Sequence, residues 1–561
     1  MKQDKFLQDC GTALCRRRDS WLVVVRRAVL FFCLLLLFQF QGIRAQSPAT
    51  PVPSPTPSKE PIPQAREQTP QTSQSAGSKP ANPTHITPEQ AKKLFRSVDA
   101  ILAFDSHDTG LPILHPVKRR LVTRDEVQHY LMQQLHNGKD AKRLRRSELV
   151  LKKFGLLDRD FQLQPFLVQL LREQIAGYYN AKTKTVNLLD WIPPDEQKPV
   201  LAHELTHALQ DQYIHLDKWG GDDDDLRIAK NVGQDNRHIA TDEKSTVRDA
   251  VAEGQAMAVF VDYILAPSGK SLLNAPQYAD KMNDAMRDNA SSPVLADAPL
   301  VLQRSLIFPY VEGLDFVRAV LTAKGKQAAF AGMLDHPPSS TYEIMTPKVY
   351  LDREPVPLLR MPDIHPLIDP LYRPYDVGVM GEFDVQVMAE LFGGSEMAKA
   401  LAPAWRGGIY YAAQSKAAKT SSAQDSTASL ATLYLSRWAT PQAAQAFAGI
   451  YAQEIPRKYD HAIVLPDEDS DSGHTATSTR TWNTSEGPVL IEVSGKTVCI
   501  SESFPMDLAR KLEFVMVSSI TDSSTNTIAG SEMPGSDLTA DLRHTLFTVA
   551  APQGYDVHTV Y

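Results

Sequence analysis

From residue 87 to about 375 apolar residues recur mainly three and four apart, as on helices; from roughly 376 the pattern shortens toward strands. Order is expected to begin at "TPEQAKKLFRSVDAILAF", where Thr87 can N-cap a helix, Pro88 suits its first turn and Gln90 completes a capping box. A second box, Thr123 to Glu126, opens "TRDEVQHYLMQQL", and "PFLVQLLREQIAG" (165–177) continues the helical pattern. "YYNAKTKTVNLLD" (178–190) predicts a hairpin turning between Asn180 and Lys184, with a β-branched return strand. Helices are predicted over "LAHELTHALQDQ" (201–212) and over 241–265, with a solvated loop across the polar stretch 216–241 that contains "GGDDDD". In the second region "ATLYLSRWA", "GPVLIEVSG" and "KTVCISES" read as strands, and 440–455 as a capped helix.

The chain start has another character. "RRAVLFFCLLLLFQFQGIRAQ" (26–46) has a positive flank, an apolar core over 28–38 and the small residue Ala45, the plan of a secretory signal peptide cleaved after Ala45. The protein is therefore expected to be exported, to the periplasm, cell envelope or exterior. The apolar core falls short of the roughly 20 residues of a membrane span; "WLVVV" ahead of Arg26 leaves an uncleaved anchor, and hence a membrane tether, as the alternative. Residues 46–86 are rich in Pro, Ser, Thr and Gln, can bury little apolar area, and are expected to form a disordered spacer. The expected division is a signal peptide over 1–45, a linker over 46–86, a mainly helical domain over 87–375, a smaller α+β domain over 376–525 and a loosely ordered tail over 526–561.

The formal net charge of the 561 residues is −7, so no basic field points to nucleic acid as a partner. Of four cysteines, Cys10, Cys15 and Cys33 precede the expected cleavage point, leaving Cys499 as a lone buried thiol. An intramolecular disulfide, a cysteine metal site and cysteine–histidine catalysis are then all unsupported.

The candidate chemistry lies in "LAHELTHALQDQ". His203 and His207 stand four apart, on one face of a helix. Leu201, Leu205, Ala208 and Leu209 form an apolar stripe turned away from them, so the histidines are expected to face a cleft. Glu204, next to His203, would stand beside a metal-bound water and take its proton, the mechanics of the H-E-x-x-H zinc hydrolase motif. A catalytic zinc needs a third protein ligand and one open position. The metzincin extension is closed, because Gln210 and Tyr213 stand where glycine and a third histidine belong. The later stretch "RDAVAEGQAMAVF" offers Glu253, a carboxylate inside an apolar run that is costly to bury without a partner, followed by Gly254, which would let two helices close up. Asp211 is the rival third ligand. Asp249 and Asp211 are also candidates to hydrogen-bond a ligand histidine's other ring nitrogen and hold its tautomer.

"HELTH" (203–207) and then "AEGQA" (252–256), behind an upstream strand, resemble the gluzincin zinc metallopeptidases. "GYYNAKTKTVNLLD", "FPYVEGLDFV", "HPPSSTYEIMTPKVYL", "WRGGIYYA" and "LSRWATPQAAQAF" are similar to poorly characterised secreted bacterial and archaeal members, over about residues 88–525. The resemblance implies an α+β, zincin-like fold: a mainly helical catalytic domain with a small edge-strand sheet, and a smaller C-terminal α+β domain. It implies one Zn2+ held by His203, His207 and Glu253, Glu204 as base, and a protein or peptide substrate added as a strand to the sheet edge at 184–189. The family's downstream histidine motif for the oxyanion is not evident here; Tyr310 is the candidate for that role and His336 the alternative. The alternative function is a non-catalytic, zincin-like envelope binding protein.

Overall fold

Thr87 caps the first helix (Pro88–Thr109) as its sequence requires: its hydroxyl accepts the Gln90 N–H at 3.2 Å, and Gln90 Oε1 accepts the Thr87 N–H at 2.7 Å. The second box forms too, with Glu126 accepting the Thr123 N–H at 2.8 Å and Thr123 accepting the Glu126 N–H at 3.2 Å. The computed structural model describes residues 85–128, 138–173, 177–219, 230–288, 292–466 and 477–520. The expected signal peptide, most of the spacer and the tail lie outside the described residues. Those described form an α+β fold, about 59% helical with two sheets, in agreement with the expected class.

The small sheet positions the site. Its strands are β1 (Lys118–Val122), β2 (Tyr178–Asn180) and β3 (Thr185–Leu189), in the order β1-β3-β2. The expected hairpin forms between β2 and β3: Asn180 Oδ1 accepts the Lys182 and Thr183 N–H groups at 3.0 and 3.1 Å, and Lys184 turns the chain at φ 55°. The expectation that β3 is an edge open to substrate is corrected. β1 lies parallel along one side of it and β2 antiparallel along the other. Beyond the end of β2, the Gln197 amide accepts the Leu189 N–H at 3.0 Å and donates to the Leu189 carbonyl at 2.8 Å. β3 is central because β1 arrives from more than sixty residues upstream, a pairing that local sequence does not announce.

The polar stretch 216–241 is also corrected: it carries the short helices Leu216–Trp219 and Val232–Ile239, with 220–229 outside the described residues. Tertiary partners hold these turns. Trp219 donates to the Leu334 carbonyl at 3.0 Å, and buried Asp235 meets His365 Nε2 at 2.9 Å.

The large sheet is antiparallel throughout, with strands β4 (Tyr372–Val379), β5 (Trp405–Ser415), β6 (Leu430–Trp438), β7 (Ala462–Leu465), β8 (Thr477–Thr484), β9 (Gly487–Ser494) and β10 (Thr497–Glu502). Their order is β4-β5-β6-β10-β9-β8-β7. Helix Pro441–Lys458, capped by Thr440 as expected, covers one face, where Phe447 meets Tyr434 at 5.9 Å between ring centroids. Helix Met506–Ser518 covers the other, placing Leu512 and Met516 in one buried cluster with Leu433 and Leu435. One cluster of buried apolar side chains runs from Leu94 to Ile500, crossing residue 376. Cys499 is buried on β10, and burial, with the Glu513 and Glu492 carboxylates, pushes its thiol well above the ordinary range. No helix among the described residues is long and apolar enough to cross a membrane.

Candidate metal centre

The motif occupies helix Pro194–Ile214, which starts with a proline at its first position and ends at His215 in the left-handed conformation. Every residue from 200 to 211 is buried, so the helix has no solvent face over the motif. This corrects the expectation of a histidine face open to a cleft. The apolar stripe packs into the core, but the opposite face is covered as well, by β2 and by the helix Lys244–Leu265.

That second helix carries Glu253. Its Oε2 lies 3.0 Å from His203 Nε2 and 3.4 Å from His207 Nε2, and the two Nε2 atoms are 3.0 Å apart. Among the described residues these three form the one group of three or more histidine, cysteine or acidic side chains with converging ligand atoms. The fit to a zinc ion can be tested on this triangle. Ligand atoms about 2.0–2.1 Å from a tetrahedral ion stand roughly 3.3 Å apart, close to the separations found. Two imidazoles and one carboxylate are also a donor set that catalytic zinc accepts. The residues present fit the ion.

Close helix packing makes this convergence possible. Helix Leu300–Lys324 crosses Lys244–Leu265 at Gly254 and Gly313, so closely that a Cβ on Gly313 would stand 2.3 Å from the Ala250 carbonyl oxygen. This crossing brings in Tyr310, fully buried, with its ring inclined 22° to that of His203 and 6.3 Å from it between centroids. His336 is placed differently: it is exposed, and its carbonyl accepts the Tyr350 hydroxyl at 2.8 Å.

Glu204 sits between the motif helix and the sheet, 1% exposed, its Oε2 accepting the Tyr179 N–H of β2 at 2.6 Å. Asp211 lies outside the converging group. Its buried carboxylate accepts the Tyr179 hydroxyl at 2.7 Å, the Lys184 ammonium at 2.7 Å and the Leu216 N–H at 3.1 Å, so it ties the hairpin to the end of the helix. Asp249 is half-buried and outside the converging group. The partner of His207 Nδ1 is instead Gln210, whose Oε1 lies 2.7 Å away. Sequence reasoning missed Gln210 and its neighbour Gln255. The signal that could have found Gln210 is position: it stands three residues after His207, on the same helix face.

Comparison with protein-family models, with curated proteins and with solved structures found no match.

Proposed function

We propose that this chain is an exported zinc-dependent metallopeptidase with a zincin-like fold. The observation that carries the reading is the convergence of His203 Nε2, His207 Nε2 and Glu253 Oε2 within one buried triangle, with buried Glu204 next to His203 in the sequence. These three residues would hold one zinc ion. When bound, it would polarise a scissile carbonyl and make the attacking water markedly more acidic.

The chain's own groups do the rest. Glu204 takes the proton of the attacking water and returns it to the leaving amine, and the Tyr179 N–H on its Oε2 keeps the carboxylate in place during both transfers. Tyr310, stacked beside His203, is the proposed donor to the oxyanion; losing one such donor typically costs about 3–4 kcal/mol of barrier. The substrate is a protein or peptide. Export rests on the signal-like segment at 26–46.

A second reading draws on burial. His203, Glu204, His207 and Glu253 are each no more than 1% exposed, as in a structural metal centre of a non-catalytic envelope binding protein. One pair of measurements separates the two. Elemental analysis of the purified full chain is expected to give one zinc, lost in His203→Ala; Glu204→Gln is expected to keep zinc and lose hydrolysis of a casein or peptide pool. Retained turnover in Glu204→Gln sinks the peptidase mechanism, and a zinc-loaded wild type that cleaves nothing favours the binding protein.

A further inference from the structure

We infer that Gln210, Gln255 and the π-turn Ala328–Gly332 form a relay that holds His207 as its Nδ1–H tautomer, aiming the Nε2 lone pair at His203 and Glu253. The inference rests on the metal-centre reading above, but its origin is separate: it follows from where three backbone carbonyls lie.

The relay starts at the π-turn. Gln255 Nε2 donates to the carbonyls of Ala329 and Phe330 at 2.8 and 3.0 Å. Carbonyls only accept, so this end of the Gln255 amide is its nitrogen. Its oxygen therefore faces Gln210, and accepts from Gln210 Nε2 at 2.9 Å. The same Gln210 nitrogen donates to the Ala252 carbonyl at 3.0 Å, which orients the second amide independently. Only Gln210 Oε1 is left to meet His207 Nδ1, at 2.7 Å. An oxygen cannot donate, so that ring nitrogen carries the hydrogen. A neutral imidazole has one N–H, which leaves Nε2 with its lone pair.

Burial makes the orientation binding. His207, Gln210 and Gln255 are all fully buried, so water is not available to replace a lost partner. Turning either amide over would set an oxygen against carbonyl oxygens, leaving buried groups unsatisfied at about 1–3 kcal/mol each. Gln210 and Gln255 are thus positioning residues acting through His207. Their helices carry the ligands themselves: Gln210 follows His207 by three residues, and Gln255 follows Glu253 by two.

The test uses the full chain labelled with 15N at histidine, without metal, and zinc affinity by competition with a chromophoric chelator. The variants are Gln255→Met, which keeps length but removes donor and acceptor, Gln210→Met, and Gln210→Glu, which restores only the acceptor toward Nδ1–H. Wild type is expected to show His207 as the Nδ1–H tautomer. Gln255→Met is expected to mix the tautomers and weaken zinc about 10- to 100-fold. Gln210→Glu is expected to bind zinc more tightly than Gln210→Met. A wild-type tautomer in folded Gln255→Met, or equal zinc binding by the two Gln210 variants, overturns the relay. Should Gln255→Met not fold, the Gln210 pair decides. If wild type binds no zinc, the metal-centre reading fails, and the ring signal of the metal-free variants alone judges the relay.

Discussion

The backbone of Gly254 rests against that of Gly313: a Cβ built on Gly254 would stand 2.2 Å from the Gly313 carbonyl oxygen and 2.9 Å from its Cα. Neither atom can move without moving a helix. Gly254→Ala is therefore expected to force the helices Lys244–Leu265 and Leu300–Lys324 apart, at a cost of about 3 kcal/mol. Because Glu253 is the neighbouring residue, zinc should be lost as well. Urea unfolding and metal content check this; wild-type stability and zinc in the variant would refute the close crossing.

Zinc should stabilise the chain by mass action. At one hundred times its dissociation constant a ligand specific to the folded state adds about 2.7 kcal/mol. Thermal unfolding is expected to shift upward with added zinc in wild type, and not at all in His203→Ala or Glu253→Ala. A shift of equal size in either variant would mean that zinc binds elsewhere.

Glu382 lies buried in the first turn of helix Glu382–Gly393. Burial drives its pKa from 4.5 to about 8, with the Arg406 guanidinium opposing and the Glu243 and Glu312 carboxylates adding to the rise. The unfolded chain releases this proton near 4.5 and the folded chain holds it to about 8, so its contribution to stability is complete below 4.5 and is lost as pH rises toward 8. Glu382→Gln is expected to match wild type at acid pH and to be more stable at pH 8, on the order of 4 kcal/mol. Parallel stability–pH curves for the two proteins would contradict the assignment.

Lys153 and Glu486 tie the helix Gly138–Phe154 to the hairpin between β8 and β9. The Lys153 ammonium, fully buried, donates to Glu486 at 2.8 Å and to Ser503 Oγ at 2.7 Å, and Arg159 pairs with the same carboxylate. Burial pushes Glu486 upward most strongly, but the Lys153 charge and hydrogen bond, the Thr427 hydroxyl and the Arg159 charge together outweigh it and hold the carboxyl below its ordinary range. Glu486→Ala leaves Lys153 buried beside a missing partner and should cost about 3–5 kcal/mol. In a double-mutant cycle, adding Lys153→Met to Glu486→Ala should recover much of that loss; additive losses would show that the two groups are not coupled.

Much of the site is legible in the sequence because its logic is local. Four-residue spacing alone puts His203 and His207 on one face, and the capping boxes at Thr87 and Thr123 need only three residues each. Glu253 stands out because a carboxylate in an apolar run must find a partner, and here it finds two imidazoles. Strands β4 and β5 are not legible. β5 is buried over nearly its whole length, so its sequence lacks the alternation that marks a strand with one wet face.

The sequence by itself determined that His203 and His207 share one helix face, because helix periodicity follows from backbone geometry alone. Tertiary structure decided everything that depends on how one helix is rotated against another. That includes the convergence of Glu253 and not Asp211 on the two histidines, the placement of Gln210 beside His207 Nδ1, and the burial of a histidine face expected to be open. The physical reason is range: spacing along one helix is set by bonds, whereas contact between helices is set by side-chain volume at the crossing, here two glycines 59 residues apart.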